Sequence, residues 1–320
     1  MSLSRLRTTL SLLIRFSLLF GLGLAAARAA TPAPAKIILL AGRPSHPPGA
    51  HEHRAGMLLL QKCLVGFPGV VTEVYDMGWP TVEKDGQRVD NNAVFEGASA
   101  VVIYSDGGRN HPALQGERLA LLDRLARAGV GIGLIHYAVE PTIPLGQKEF
   151  IQWTGGAFEI HHSVNPHWEA DFTSYPEHAV TRGVKPFRAL DEWYFNMRFR
   201  ENMTGVTPVL TAVPPESTMS RKDGPHEGNP TVRAMVAQKK PQTMMWLSES
   251  PTAGGGRGFG FTGGHFHAGW KNDEQRKLVL NAIVWIAGRE VPANGVVSTV
   301  TDADLAVNLD PKTPRPAAAK

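Results

Sequence analysis

One cysteine, Cys63, stands in a chain of 320 residues, and a lone thiol cannot form an intramolecular disulfide. The fold must therefore rest on its apolar core, and Cys63 itself lies in a helical apolar pattern with Met57, Leu60 and Leu64. Charged residues are sparse, at 19%. The first 29 residues hold no acid, and their four arginines account for the whole formal net charge of +4. The rest of the chain is neutral, with no block of like charge, so it carries no electrostatic footprint for nucleic acid. No apolar run is comfortable as a membrane span: Phe16 to Ala27 covers about twelve residues, against the ~20 a helix needs. There is no G-x-S-x-G nucleophile elbow, no phosphate-cradling P-loop, no H-E-x-x-H zinc helix and no internal repeat.

What is present begins with a leader. Arg5, Arg7 and Arg15 precede the apolar stretch, and Ala27-Arg28-Ala29 fits a cleavage site. Residues 1–29 read as a secretory signal, which predicts a secreted or periplasmic protein with no stable membrane association after cleavage. A Pro/Ala linker, 30–35, then leads to a single domain over 36–292. Residues 293–320, rich in Pro, Ala and Asp, read as a tail.

Inside the domain, continuous apolar runs alternate with helical patterns. Strands are expected at 36–42, 70–77, 98–104 and 130–136, with helices at 55–64, 114–129 and 273–288. Gly129 and Gly288 serve as helix stops. Later strand-like pieces are 205–213, 233–238, 243–249 and the Gly-rich 256–264. This order predicts an α/β fold, a doubly wound and mainly parallel sheet with helices on both faces.

In such a sheet, ligands gather at the carboxyl ends of the strands. Those ends carry His46, His51, Glu52 and His53, then Asp106, then His136 and Glu140, and finally His265 and His267. Neutral imidazole is the commonest metal ligand, so the rim predicts a metal site. The middle of the chain adds His161, His162 and His167, with Trp168 nearby, and places Asp191 and Glu192 beside Trp193 and Tyr194. Carboxylates framed by aromatic rings suit sugars. Were the segment 190–200 a strand, Asp191 and Glu192 would point to opposite faces and could not flank one bond. "GFGFTG" at 258–263 matches G-x-G-x-x-G by letters, but it runs into His-x-His rather than opening a helix. Its glycines are expected to permit close backbone approach.

Together "GRPSHPPGAHEH", "VVIYSDGG", "GVGIGLIHYAVE", "HHSVNPHW", "DEWYFNMRF" and "GRGFGFTGGHFH" resemble the ThuA-like family, named for trehalose utilisation, over roughly 36–292, and its secreted branch above all. The resemblance implies a flavodoxin-like fold similar to class I glutamine amidotransferases. It puts His136 where those enzymes carry a nucleophilic cysteine, so thioester glutaminase chemistry is excluded. It implies substrates that are keto sugars or disaccharides, and it implicates His46, His51, Asp106, His136, His161, Glu192 and His265.

The resulting expectation is a metal-dependent sugar isomerase, lyase or hydrolase. His46, His136, His161 and His265 would hold zinc, or alternatively manganese. Asp106 and Glu192 would move protons, and His51, Trp168, Trp193 and Tyr194 would contact the carbohydrate. The alternative is a non-catalytic sugar-binding protein on the same scaffold. Either form is compatible with a homo-oligomer.

Overall fold

Alternate residues of the first strand are buried on opposite faces. In β1 (Ala35–Ala41), Ile37 and Leu39 join one apolar cluster while Ile38 and Leu40 join another. A strand with no wet face belongs inside a covered parallel sheet. The structure, a computed structural model, describes residues 33–250 and 254–312. The expected leader, residues 30–32 of the linker and residues 313–320 of the tail lie outside the described residues.

The central sheet adds β2 (Val70–Tyr75), β3 (Ala98–Tyr104), β4 (Gly131–Ile135), β5 (Val206–Ala212), β6 (Gln242–Ser248) and β7 (Gly258–Phe261). Its order is β5-β6-β7-β4-β3-β1-β2. The pairs from β2 to β7 are parallel, and β6 and β5 run antiparallel at one edge. The chain leaves β1 toward β2 and then returns to β3 on the other side. The crevice beyond β1 and β3 is thus the topological switch point, where open α/β sheets bind ligands.

Helices α1 (His53–Leu64) and α5 (Asp273–Ile286) pack on one face; α2 (Arg118–Arg127) and α3 (Gln147–Thr154) pack on the other. Helix α5 begins as its sequence requires. Asn272 caps the Glu274 and Gln275 N–H groups at 3.1 and 3.2 Å, and acids occupy the first turn. Cys63 is partly buried against the core, and burial raises its thiol pKa.

Three expectations need correction. Residues 233–238 are not a strand but part of α4 (Pro230–Ala237). Asn229 accepts from Val232 N–H and Pro230 takes the first helical position, a start signal that outranks the short apolar run Ala234–Ala237. The helix expected from 114 begins only at Arg118, after a short 3-10 turn at Pro112–Leu114. The loosely patterned middle contains a two-stranded hairpin, His167–Phe172 with Phe187–Glu192, whose inner side is buried at every second residue.

Residues 293–312 lie against the domain rather than trailing from it. Val296 and Val300 are buried, and a short helix follows at Asp302–Leu305. At the end of this strap the Lys312 ammonium is almost fully enclosed. It donates to the carbonyls of Ala50 and His51 and sits 3.2 Å from Glu52 Oε1. Among the described residues no helix is long and apolar enough to cross a membrane.

Candidate metal centre

The strand ends deliver imidazoles to one point, and the backbone is bent to do it. His46, His51 and His136 have φ of 61°, 49° and 57°. Non-glycine residues rarely occupy this left-handed region, at a cost of about 1–3 kcal/mol each, and such strain concentrates at functional sites. His136 directly follows β4, and His51 precedes α1. His265 follows Gly264, whose φ of +103° favours glycine. A Cβ on Gly263 would stand 2.5 Å from the Trp193 ring, so close backbone approach is required there, as the glycine-rich segment suggested. Backbone bonds then tie the two loops together, His51 N–H to His265 O and His267 N–H to Gly49 O, each at 2.9 Å.

Four ligand-type atoms converge. His136 Nε2 is 3.0 Å from His51 Nε2 and 3.3 Å from His265 Nδ1, and His51 Nε2 is 3.1 Å from His265 Nδ1. Glu192 Oε2 lies 3.0 Å from His265 Nδ1 and 3.5 Å from His136 Nε2. The other ring nitrogens fix the tautomers. His136 Nδ1–H donates to the Thr262 carbonyl at 2.8 Å, and His51 Nδ1–H donates to Asp106 Oδ1 at 2.9 Å. In the neutral rings both Nε2 atoms therefore present lone pairs, 3.0 Å apart, with no proton between them. One His265 N–H cannot satisfy two lone pairs and a carboxylate at once. A cation satisfies all four: ligands at ~2.1 Å from a tetrahedral ion are ~3.4 Å from each other. The donor set, three imidazoles and a carboxylate, suits zinc or manganese.

The electrostatics agree with this arrangement. Burial, and then the neighbouring His136, hold His51 well below the usual imidazole range, so it stays neutral and able to ligate. Burial alone would raise Glu192, but the imidazoles of His136, His167 and His265 facing its carboxylate outweigh that and hold the carboxyl below its ordinary value. Behind the ligands stands an outer layer. Asp106 Oδ1 also accepts from Ser45 Oγ at 2.8 Å. The buried Asp191 carboxylate accepts the N–H groups of Gly264, His265 and Glu192 at 2.7, 2.9 and 2.8 Å. Such partners orient metal ligands and sustain their basicity.

The expected site residues divide clearly. His136, His265 and Glu192 meet in the cluster, and His51, expected to touch sugar, stands at its centre. His46 stacks on His51 with ring centroids 3.5 Å apart and belongs to a shallower group with His51 and Asp106. His161 is not brought in: it is exposed, at φ 64°, in a loop whose backbone bonds to Pro225. Asp106, expected to move protons, is engaged in orienting His51. Trp168 and Trp193 offer no face to a sugar. Trp193 is 0% exposed, with its indole N–H on Ala189 O and its ring packed against Phe172 and Phe261. Trp168 is buried beside it and donates to Trp193 O. Tyr194 does reach the site, but through its hydroxyl, 3.3 Å from His136 Nε2 and 3.2 Å from Glu192 Oε2. Asp191 and Glu192 diverge as their strand positions require.

Two participants escaped sequence reasoning: the Thr262 carbonyl and His226. His226 Nε2 pairs with both oxygens of buried Glu140, at 3.1 and 3.0 Å, and its ring stacks on Phe158. The hydrogen bond to Glu140 raises the His226 pKa, while burial raises that of Glu140 against the pull of His226. Because the folded-state His226 value lies above the ordinary 6.5, its contribution is complete below that pH and fades as pH rises through the folded value. The stability difference between wild type and His226→Gln is expected to be largest below pH 6.5 and to shrink as pH rises above it, read by urea unfolding.

The strap supports the site from behind. Lys312→Met is expected to weaken zinc affinity by about tenfold, the low end for groups that hold metal ligands in place. Competition with a chromophoric chelator measures it; unchanged affinity would show that the His51 loop needs no such anchor.

A cavity of about 380 Å³ opens on the Glu192 side, lined by Asn165, His167, Glu192, Ser217, Ser220 and Arg221 among others. Asn165 Nδ2 donates to Glu192 Oε1 at 3.1 Å, and His167 Nε2 lies 3.6 Å from the same oxygen.

Comparison with known proteins agrees with this fold. A ThuA-like protein from Bacteroides uniformis ATCC 8492 aligns with a TM-score of 0.55 at 15% identity, covering 81% of this chain and 94% of that one. Another from Parabacteroides merdae ATCC 43184 gives 0.51 at 16%, covering 81% and 92%. At such identities the likeness carries the fold alone. Among curated proteins none matches the sequence. The sequence model of the ThuA family, described as trehalose utilisation, matches residues 67–286, and the chain belongs to that family.

Proposed function

We propose a sugar-related function, starting from membership of the ThuA family, whose model is described as trehalose utilisation. We propose, further, that it is a metal-dependent enzyme acting on keto sugars or their glycosides, by isomerisation, epimerisation or elimination. The observation that supports this most is the convergence of four ligand atoms beside a cavity walled by hydroxyls, amides and one guanidinium. A divalent ion held there would polarise a sugar carbonyl or hydroxyl. His51, His136, His265 and Glu192 Oε2 would hold it, zinc being the better match and manganese the alternative.

The remaining chemistry belongs to the chain. A keto group acidifies the neighbouring C–H, so one proton-moving group suffices and the two-carboxylate geometry of glycosidases is unnecessary. His167 is half-exposed at the cavity, and the Glu192 carboxylate facing it raises its pKa. It would take and return the proton, with Glu192 Oε1 stabilising its charged form. Asn165, Ser217, Ser220 and Arg221 would orient the hydroxyls.

The experiment is an NMR assay of the zinc- or manganese-loaded protein against keto-glycosides and their unoxidised parents, with and without chelator. Turnover of keto substrates alone, abolished by chelation and by Glu192→Gln, is the expected result. Binding without turnover across the panel would favour a sugar-binding protein instead.

A further inference from the structure

A second cavity, of about 640 Å³, lies at the switch point beyond β1 and β3. It shares Asp106 with the cluster, but its chemistry differs. Arg43, Ser45, Arg109, Asn110, Trp79 and Arg118 are among its walls. Arg118 is neutralised and held rigid: its Nε and Nη2 donate to the two oxygens of Asp90, each at 2.7 Å, and its guanidinium lies 4.9 Å over the Trp79 ring. Arg43 and Arg109 make no ion pair among the described residues. The Asp106 Oδ1 atom is already engaged by His51 and Ser45. The cavity therefore sets two guanidiniums, Arg43 and Arg109, against the single carboxylate of Asp106, with hydrogen-bonding neighbours and the Trp79 ring beside them, at the place where this class of sheet binds ligands.

We propose that this cavity is a binding subsite for an acidic sugar. Its carboxylate or phosphate would sit between Arg43 and Arg109, and its ring would lie toward Ser45 and Asn110. Guanidinium forks match both anions in geometry, and such charge-assisted bonds are the stronger kind. The word sugar rests on the function proposed above; the anion preference does not, because it needs none of the four cluster atoms. Uronic or aldonic acids and sugar phosphates share the relevant chemistry.

Calorimetric titration tests this with glucuronate, glucose 6-phosphate, glucose and inorganic phosphate. The titrations use wild type, Arg43→Gln/Arg109→Gln and His136→Ala. At least one acidic sugar is expected to bind about tenfold or more tighter than glucose, and tighter than phosphate alone. That preference should vanish in the double arginine variant and survive in His136→Ala. Stronger binding of glucuronate than of glucose 6-phosphate identifies a carboxylate as the anion, and the reverse identifies a phosphate. Both arginines are exposed, so the double variant should keep its melting temperature. Equal binding of glucose and both acidic sugars, or a preference that outlasts the arginines, would overturn the subsite. Phosphate alone binding as tightly as the acidic sugars would remove the sugar from it. A preference lost in His136→Ala would move the anion to the cluster and also overturn it. Failure of the keto-sugar assay alongside a retained arginine-dependent preference would refute the proposed chemistry while leaving the subsite standing.

Discussion

His136→Ala is expected to lose divalent metal affinity by more than about 100-fold, beyond the 10–100-fold typical of groups that merely support ligands. Its Nε2 lies within 3.5 Å of all three other ligand atoms of the cluster, and its Nδ1–H is the anchor on Thr262. The same position carries strain, at φ 57°. His136→Gly should also lose the metal, yet without that strain it should be more stable than His136→Ala by about 1 kcal/mol. Chelator competition and urea unfolding read the two effects separately. Metal affinity within a few-fold of wild type in either variant would remove His136 from the ligand set.

Asp191→Ala is expected to destabilise the fold by about 3–5 kcal/mol, since each buried donor left without its acceptor costs about 1–3 kcal/mol. Asp191 is fully buried, and burial raises its pKa against the pull of His136 and the backbone donors. Three N–H groups, those of Gly264, His265 and Glu192, would lose their acceptor together. Two of those residues are proposed metal ligands, so zinc affinity should fall as well. Asp191→Asn keeps one acceptor oxygen and should recover part of both losses. A drop below about 1 kcal/mol in Asp191→Ala would mean that the loop holds its shape without the carboxylate.

The sheet was legible because its strands are continuous apolar runs, and a strand such as β4 can be read from six consecutive residues. His136 was legible for the same reason, being the first polar residue after that run. The Glu-bearing strand and the His265 tip were found by residue type. What the sequence hides is which side of the hairpin faces inward. Trp168 and Trp193 look identical to stacking aromatics until the hairpin packs Trp193 on Phe172 and Phe261 and Trp168 on Phe195. His161 and His167 lie six positions apart, and only the fold decides that the second reaches Glu192. A backbone carbonyl such as that of Thr262 has no sequence signal, and His226 sits in a Gly/Pro-rich loop whose partner, Glu140, is 86 residues away. The strap 293–312 reads as tail because it is rich in Pro, Ala and Asp, yet the enclosed Lys312 ammonium holds the carbonyls of Ala50 and His51.

His51, His136, His265 and Glu192 are proposed to form one metal centre. Cobalt(II) titration of the metal-stripped protein tests it most directly, since the visible absorption of that ion reports coordination geometry. About one equivalent per chain, with the intense bands of a tetrahedral nitrogen- and oxygen-bound site, is the expected result. Saturation with no spectrum beyond that of the hydrated ion, or no binding at all, would contradict the account.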